Sequence, residues 1–418
     1  MKVRNSSSLS TQVRSIVADM DKRGFDAIIN YSQKFDKFNL SKTNILISTA
    51  EIEKQSTKLT SNQRRAIDFA YAQVQLFQEQ IARSIEKIST KSEFGVTNYV
   101  PKPMNRIGIY VPGGLAPLPS SLLMAGISAK TAGVENLIVC TPPRSEGLNP
   151  AIAYLLLKLG VSDAFWLGGV AAIWFMANGM TDISTPVDKI CGPGNSYVAE
   201  AKSQFAQSGK IAIDMIAGPS EVLIIADESA NPVFIAADLI AQAEHGINSS
   251  AILVTDSSEL AASVQTKVDC QLENMKRKNE IKKALKNCGG IFIAQDLLEE
   301  GISITNQFAP EHLEIFCKKD LESQFLTKNL CAGAIFVRTG EAFADYGMTG
   351  GNHILPTNGT SRFSSGLSVR DFFVWQYVEE LSEAGQCKFA DMAACFADLE
   401  SLEGHANAAR VRSKEVEK

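Results

Sequence analysis

Two patterns of apolar residues alternate along the chain from residue 106 onwards. Short apolar runs predict strands at 107–111, 136–140, 164–167 and 187–190. Between them, apolar residues at helical spacing predict helices, including 120–133 and 150–160. Strands that alternate with helices in this way are typical of βαβ units, which build parallel sheets. This part of the chain therefore predicts a parallel α/β sheet.

The same alternation starts again near residue 221. Predicted strands follow at 221–226, 250–255, 290–294 and 333–337, with predicted helices at 233–245 and 258–272. A further strand is predicted to begin at Leu313, because Leu313 and Ile315 alternate with Glu314, and Pro310 ends the helix before it. Residues 1 to about 100 look mainly helical, as in 61–72, and the chain is predicted to be helical again after Ser365. Two α/β halves thus predict two similar sheet domains.

Composition and charge indicate an ordinary soluble protein. Of the 418 residues, 45% are hydrophobic and 21% are charged. The net charge of −5 and the pI near 5.6 argue against a nucleic-acid partner, which needs a basic surface. No apolar run is long enough to cross a bilayer, and the first ten residues lack the apolar segment of a secretory signal. The eight cysteines are dispersed without a CxxC pair, so we expect reduced thiols and a cytoplasmic protein.

The chain contains only four histidines, and three of them are considered first. Gln242 and His245 are three residues apart and share a helix face, although a histidine at a helix end more often caps the last carbonyls. Asp345 and His353 bound a glycine-rich loop, which is alternatively a plain long turn. His405 lies in the predicted helical tail, where a polar surface role is the alternative. Imidazole, carboxylate and amide ligands would suit Zn²⁺, but the spacing alone does not establish a site.

The fourth histidine, His312, directly follows Glu311. Adjacent side chains cannot share one face of a helix or strand, so a joint role requires a loop. We predict that both lie in a loop at a strand entrance, exposed to a cleft, where loops on rigid scaffolds often carry function. A solvent-exposed turn is the alternative interpretation.

Two glycine turns are candidates for phosphate binding. The turn 191–195 lies between a predicted strand and a predicted helix, and Pro112–Gly114 is placed similarly. A helix N-terminus with glycine access offers backbone N–H groups to a phosphate. Neither turn has the GxGxxG pattern of a standard dinucleotide site, and such turns can also be purely structural.

Six ordered segments together resemble the histidinol dehydrogenase family. They are Arg106–Gly114, Val187–Asn195, Ala217–Glu221, Gln242–His245, Pro310–Leu313 and Asn352–Thr357. The resemblance covers residues 100 to 418 closely and the N-terminal region more loosely. All four histidines fall on functional positions of that family.

The resemblance implies an activity, a metal and a partner. It implies oxidation of L-histidinol to L-histidine, the last step of histidine biosynthesis, through an aldehyde and with two NAD⁺. It implies one Zn²⁺ per subunit of an intertwined homodimer, with ligands Gln242, His245, Asp345 and His405, the last reaching in from the partner subunit. The implied substrate-binding residues include these four ligands and also Ser220, His312, His353 and Glu400.

The resemblance also assigns catalytic and cofactor residues. His312 is the expected general base, and Glu311 is expected to activate the water that attacks the aldehyde. Tyr110 and Asn195 are the expected NAD⁺ contacts. The chain departs from the family at Ala171, where a glutamine is usual, so one cofactor hydrogen bond is absent or comes from elsewhere. It also departs in the loop 345–353, which is one residue longer than usual.

Pattern and resemblance together predict an α/β fold with two incomplete Rossmann-like parallel-sheet domains, a helical N-terminal arm and a helical C-terminal tail. We predict an arm at 1–20, a larger domain formed by 21–109 and 221–365, a second domain at 110–220, and a tail at 366–418 that reaches the partner subunit. Three alternatives stay open for the function. They are a relative that oxidises another small polar alcohol such as a sulfonated propanediol, a zinc hydrolase in which Glu311 activates a metal-bound water, and a non-catalytic paralogue.

Overall fold

The N-terminal part of the chain is mainly helical. The computed structural model describes residues 6–113 and 117–416, so the first five residues of the predicted arm and Gly114 of the predicted turn lie outside the described residues. The first elements are α1 Ser6–Arg23, α2 Phe25–Tyr31, a π-helix Ser32–Asp36, α3 Thr49–Ser56, α4 Ser61–Ala82, β1 Ile88–Ser92 and β2 Gly95–Pro103. Helix α4 confirms the helix predicted at 61–72. It begins after Thr60, which forms a capping box with Gln63 and thereby satisfies N–H groups that the helix leaves free.

The first parallel sheet follows at residue 106. Its strands and covering helices are β3 Arg106–Tyr110, α5 Pro119–Thr131, β4 Asn136–Thr141, α6 Pro150–Leu159, β5 Asp163–Trp166, α7 Gly169–Asn178, β6 Lys189–Cys191, α8 Ser196–Gln207 and β7 Ala212–Ile213. The strand order is β5–β4–β3–β6–β7, and all pairs are parallel. This order reverses direction at β3, as in a doubly wound Rossmann-like sheet that lacks its sixth strand.

The second parallel sheet repeats this arrangement. Its elements are β8 Glu221–Ala226, α9 Pro232–Ala243, β9 Ser250–Thr255, α10 Ser258–Leu272, α11 Lys278–Cys288, β10 Gly289–Ile293, α12 Leu297–Phe308, β11 His312–Phe316, α13 Lys319–Leu326, β12 Ala334–Val337 and α14 Glu341–Asp345. The order β10–β9–β8–β11–β12 is again parallel throughout and again reverses at its first strand. The two sheets confirm the predicted pair of incomplete Rossmann-like units.

A third sheet corrects the prediction that the chain after Ser365 is helical. Past two 3₁₀ turns, Thr360–Arg362 and Val369–Phe372, strand β13 Phe373–Leu381 pairs antiparallel with β2, which pairs with β1. The sequence of β13 is rich in β-branched and aromatic residues, which favour strands. Most side chains of β1 and β13 are exposed, so no alternation of buried positions marks them in the sequence. Only the last two helices, α15 Glu383–Leu399 and α16 Glu403–Val416, form the predicted helical tail.

Apolar side chains cover both faces of each parallel sheet. In β4, Leu137 and Val139 belong to one core cluster, whereas Ile138 belongs to another, as alternate residues of a strand must. Helices α3 and α4 pack on α6 and α5, and α1 packs on α7 and α8, so the N-terminal helices share the core of the first sheet. Strand β3 extends across the predicted domain limit at residue 110, and the domain boundaries stay a prediction.

Two further features bear on the sequence expectations. The eight cysteines all lie within the described residues, and none of them forms a disulfide bond. Within residues 6–113 and 117–416, no helix combines the length and apolar character needed to cross a membrane.

Candidate active site

A cleft of about 1650 Å³ is lined by residues from both parallel sheets. Its first wall lies at the carboxyl ends of the first sheet's strands and includes Tyr110, Gly168 and Asn195. Its second wall includes Ser220, which precedes β8, and His245, which follows α9. Ligands of open α/β sheets usually bind at the carboxyl ends of strands. Here the second sheet contributes the amino ends of its strands instead.

The first wall brings together the residues predicted to contact a cofactor. Tyr110 ends β3, and its hydroxyl accepts a hydrogen bond from Gly169 N–H at 3.2 Å. Burial raises the pKa of Tyr110 to about 12, so the phenol stays neutral. Asn195 caps α8 by accepting from the N–H groups of the next turn and is exposed at the cleft. Ala171 also lines the cleft and presents only a methyl group.

The predicted turn 191–195 is held from behind by a buried ion pair that sequence reasoning missed. Gly192 has φ +110°, and a Cβ there would lie 2.1 Å from the carbonyl oxygen of Tyr110, so only glycine fits. Its N–H donates to Asp214 Oδ2 at 2.7 Å, and its carbonyl accepts from Lys202 Nζ at 2.9 Å. Lys202 and Asp214 are themselves paired, with side chains 2% and 1% exposed.

The pair Glu311–His312 is buried, which corrects the prediction of an exposed loop. His312 is the first residue of β11 and is 4% exposed, and Glu311 is 8% exposed. Strand β11 is flanked on both sides by β8 and β12, so its beginning lies inside the molecule rather than at a free edge. Among the described residues that line the cleft, neither is present. The strand predicted at Leu313 is confirmed and starts one residue earlier.

Three carboxylates act on the imidazole of His312. Its Nδ1 lies 3.0 Å from Glu341 Oε2, and its Nε2 lies 3.7 Å from Asp345 Oδ1. Neither nitrogen has a well-aligned hydrogen-bond partner in the described part of the chain. Burial opposes the charged ring, but Glu311, Glu341 and Asp345 together outweigh it and raise the pKa of His312 to about 10. These carboxylates therefore stabilise the protonated form of the ring.

Two neighbouring glutamates titrate near neutral pH. Burial raises the pKa of Glu311 to about 8 and that of Glu221 to about 7. Glu311 Oε2 accepts from the N–H of Glu221 at 3.1 Å, and Glu221 Oε1 accepts from the N–H of Asn358 at 3.2 Å. The sequence placed Glu221 inside a matching segment but gave no reason to assign it a role.

Glu341 contacts both His312 and Gln242, and the sequence analysis did not identify it as a site residue. With the Gln242 amide oriented to satisfy both its ends, its nitrogen donates to the Glu341 carboxylate at 2.7 and 3.1 Å, and its oxygen accepts from Glu221 N–H at 2.5 Å. Glu341 N–H donates to Glu314 Oε1 at 2.8 Å. Burial raises the pKa of Asp238 to about 6 and that of Glu314 well above its usual range. Glu314, an acid in the middle of the apolar strand β11, was the one feature of the sequence that could have indicated this cluster of carboxylates.

His353 and His245, the other predicted histidines outside the C-terminal tail, lie close enough to one another for their charges to interact. His353 Nδ1 lies 2.7 Å from the carbonyl oxygen of Asp345. Burial is the main cause that lowers the pKa of His353, and the charges of Asp345, His312 and His245 act on it as well. Helix α9 ends at Ala243, two residues earlier than predicted, so His245 is exposed in the following turn.

The tail residues Glu400 and His405 are separate from this cluster within one chain. Both are exposed, and helices α15 and α16 pack on each other through Ala394, Ala397 and Ala406. Neither Glu400 nor His405 lines the cleft. Within the described residues, no group of three or more His, Cys, Asp or Glu side chains is arranged to hold a metal ion. One chain therefore does not assemble the four predicted zinc ligands.

The donors in the main body nevertheless fit part of a zinc site. Asp345 Oδ1 is buried without a hydrogen-bond partner among the described residues, and His245 offers its imidazole at the cleft. The Gln242 oxygen is bonded to the N–H of Glu221, but that N–H also donates to Glu311 and would keep a partner if Gln242 turned away. Carboxylate and imidazole donors suit Zn²⁺, and such a site needs a further ligand from outside this cluster.

Known proteins match the chain along its length. The family model described as histidinol dehydrogenase matches residues 1–413. Relatives named histidinol dehydrogenase from Geobacillus kaustophilus and Xanthomonas campestris pv. campestris are each 40% identical, over 408 and 413 residues, covering 97% of this chain and 94% of theirs. The crystal structure of histidinol dehydrogenase from Elizabethkingia anophelis superimposes with a TM-score of 0.90 at 36% identity, covering 100% of this chain and 94% of that one. The chain therefore belongs to the histidinol dehydrogenase family of oxidoreductases.

Proposed function

We propose that the chain oxidises L-histidinol to L-histidine through histidinaldehyde, with two NAD⁺ reduced per histidine formed. The observation that carries this proposal is the buried pair Glu311–His312 beside a cleft that contains Tyr110 and Asn195, in a member of the histidinol dehydrogenase family. A hydrolase would have no need for the predicted cofactor contacts Tyr110 and Asn195 in the first wall of the cleft. A non-catalytic paralogue would have no need for the buried acid–base groups.

His312 is the general base in this proposal. It takes the proton from the substrate hydroxyl as hydride leaves the same carbon for the cofactor. The carboxylates of Glu341 and Asp345 stabilise the imidazolium that forms, and Glu341 holds the ring from its Nδ1 side. The neutral ring is the form that accepts this proton, and a metal ion held by Asp345 would favour the neutral ring by lowering the pKa of His312.

Glu311 serves the second oxidation, in which the aldehyde must gain a water oxygen. Its pKa of about 8 places its titration close to neutral pH, which suits a group that takes a proton from water. Glu311 and His312 are adjacent in the chain, so two groups of different basicity can act in turn on one carbon. Ser220 and His353 lie nearby and complete the proposed substrate pocket together with Glu400 of the partner subunit.

The proposed zinc ligands are Gln242, His245, Asp345 and His405 of the partner subunit. When bound, the ion would hold the imidazole and amino nitrogens of the substrate and would offset the negative charge of Asp345. Removal of the metal with a chelator should abolish turnover, and added Zn²⁺ should restore it. Full activity in metal-free protein would contradict this assignment.

A homodimer with shared active sites follows from the same proposal. The tail exposes large apolar side chains, with Met392 58%, Phe396 66% and Leu399 79% exposed in a single chain. Contiguous apolar surface of this kind is typical of an interface, and we propose that a second copy covers it. The dispersed cysteines, which form no disulfide bond within the described residues, support a cytoplasmic location.

The decisive experiment is a stoichiometry measurement on the purified protein. Histidinol and NAD⁺ are supplied, and NADH formed is counted against histidine formed. A ratio near two supports the proposal, and the absence of NADH would overturn it. Faster turnover of a sulfonated propanediol than of histidinol would instead favour a relative with another substrate, and a hydrolytic rate that is independent of NAD⁺ would favour the zinc hydrolase.

A further inference from the structure

Asp36 places an unexplained carboxylate in the first wall of the cleft. It ends the π-helix Ser32–Asp36, a rare backbone form that is frequent at functional sites. Its two oxygens lie 3.1 and 3.3 Å from the point that a Cβ on Gly168 would occupy, so the carboxylate is pressed against that glycine. Within the described residues it forms no hydrogen bond and no ion pair.

Neighbouring cations do not neutralise this carboxylate. The Nζ atom of Lys34 lies over the ring of Phe35, 5.2 Å from its centre, and Lys37 Nζ donates to the carbonyl of Lys34. Burial alone raises the pKa of Asp36, to about 6, with no opposing charge. A half-buried carboxylate without a partner costs folding free energy, so packing does not explain why it is there. Its carboxylate oxygens are therefore available to accept hydrogen bonds from a ligand in the cleft.

The position of Asp36 in the cleft indicates which part of a dinucleotide it would meet. This step rests on the proposed function. The reacting carbon must lie near His312, and the nicotinamide must therefore lie toward the second wall, at Ser220 and His245. The adenosine half then extends along the first wall, where Asp36 lies close enough to Tyr110 for its charge to affect the pKa of that phenol.

We propose that Asp36 is the residue that selects NAD⁺ over NADP⁺. Its carboxylate accepts hydrogen bonds from the two vicinal hydroxyls of the adenosine ribose and repels a 2′-phosphate at the same position. Acidic residues have this role in other dinucleotide-binding folds, where they follow a GxGxxG motif that this chain lacks. The nearby Ala171 offers only a methyl group, which leaves more of the ribose recognition to Asp36.

The test compares both cofactors in the full-length enzyme and in Asp36→Asn and Asp36→Ala. With saturating histidinol, the KM for NAD⁺ should rise about tenfold or more, because hydrogen bonds to a charged acceptor are lost. The ratio of kcat/KM for NAD⁺ to that for NADP⁺ should fall by a still larger factor, because the repulsion of the phosphate is removed too. The KM for histidinol should not change. The matched control is Asp26→Asn, which removes the same charge from an exposed position outside the cleft.

The possible results separate this inference from the proposed function. If the wild type makes NADH and both Asp36 variants keep its NAD⁺ KM and its cofactor ratio, the role of Asp36 is refuted and the function stands. Equal changes in the Asp26 control would also refute it, because they would show a general charge effect. If the wild type makes no NADH, calorimetric titration of NAD⁺ and NADP⁺ onto wild type and Asp36→Asn still decides the matter. Equal affinity of the wild type for the two cofactors would overturn the proposal.

Discussion

Substitution of Lys202 by methionine removes the cation from the buried ion pair behind the Gly192 turn. Lys202 Nζ bonds both to Asp214 and to the carbonyl of Gly192, and Asp214 also accepts the N–H groups of Gly192 and Met215 at 2.7 Å each. The two charged side chains are 2% and 1% exposed, so water cannot replace the lost partner. The variant leaves a carboxylate buried without its counter-ion.

The expected loss in the free energy of unfolding is large. Removing one partner of a buried pair typically costs about 3–5 kcal/mol. Two backbone N–H groups still solvate Asp214, so we expect about 3 kcal/mol for Lys202→Met and a similar loss for Asp214→Asn. The double variant removes both charges and should cost little more than one single variant. The coupling energy of the cycle should therefore be about 2 kcal/mol or more.

Urea unfolding of the wild type, the two single variants and the double variant measures this cycle. The control is Lys158→Met, which breaks a 2.7 Å ion pair with Asp68 whose side chains are 30% and 42% exposed. An exposed pair contributes at most about 1 kcal/mol, so the control should change little. Single variants that each cost less than about 1 kcal/mol and add without coupling would refute the reasoning.

Three further predictions concern pH, assembly and the catalytic pair. Burial raises the pKa of Asp36 from 3.8 to about 6, so stability is full below about pH 4 and falls as pH rises to about 6. Chemical unfolding should therefore show Asp36→Asn more stable by on the order of 1–2 kcal/mol at pH 7.5, after allowance for solvent screening, and unchanged at pH 3.5. Mixed dimers of His405→Asn and His312→Asn chains should regain activity at one site each, and inactive verified heterodimers would place the tail in its own subunit. Glu311→Gln should slow aldehyde oxidation by about 10²–10⁴-fold and lower the NADH formed per histidinol consumed from two towards one, whereas equal slowing of both oxidations would contradict the division of labour.

The parallel sheets were predictable because their strands are buried on both faces. Such strands appear as continuous apolar runs, and β8 and β9 have the bounds that the sequence predicted. Helix α10 also begins and ends where its periodicity indicated. Strands β1 and β13 were missed because their side chains are mostly exposed. In addition, β13 pairs with β2 across 270 residues or more, which leaves no local signal.

The residues of the candidate site could be predicted from the sequence, but their burial and the acids that surround them could not. The resemblance named His312 and Glu311, and the structure brings His245, Asp345 and His353 near them. Their burial depends on β11 having neighbours on both sides, which the local sequence does not reveal. The acids around them come from separate elements, and no spacing rule connects Glu314 and Glu341 to Gln242.

The two parallel sheets present opposite helix ends to the cleft, because the cleft lies at opposite edges of the two sheets. At the carboxyl edge of the first sheet, helices α7 and α8 begin at Gly169 and Ser196, and helix N-termini attract anions such as a pyrophosphate. At the amino edge of the second sheet, helix α9 ends just before His245, and a helix C-terminus favours cations. The carboxylates of Glu341, which is buried, and Asp345, which is partly buried, add to that preference. A dinucleotide is anionic, whereas an amino alcohol carries an ammonium group. Two sheets with the same strand order that line the cleft with opposite edges can therefore bind a dinucleotide and an amino alcohol side by side.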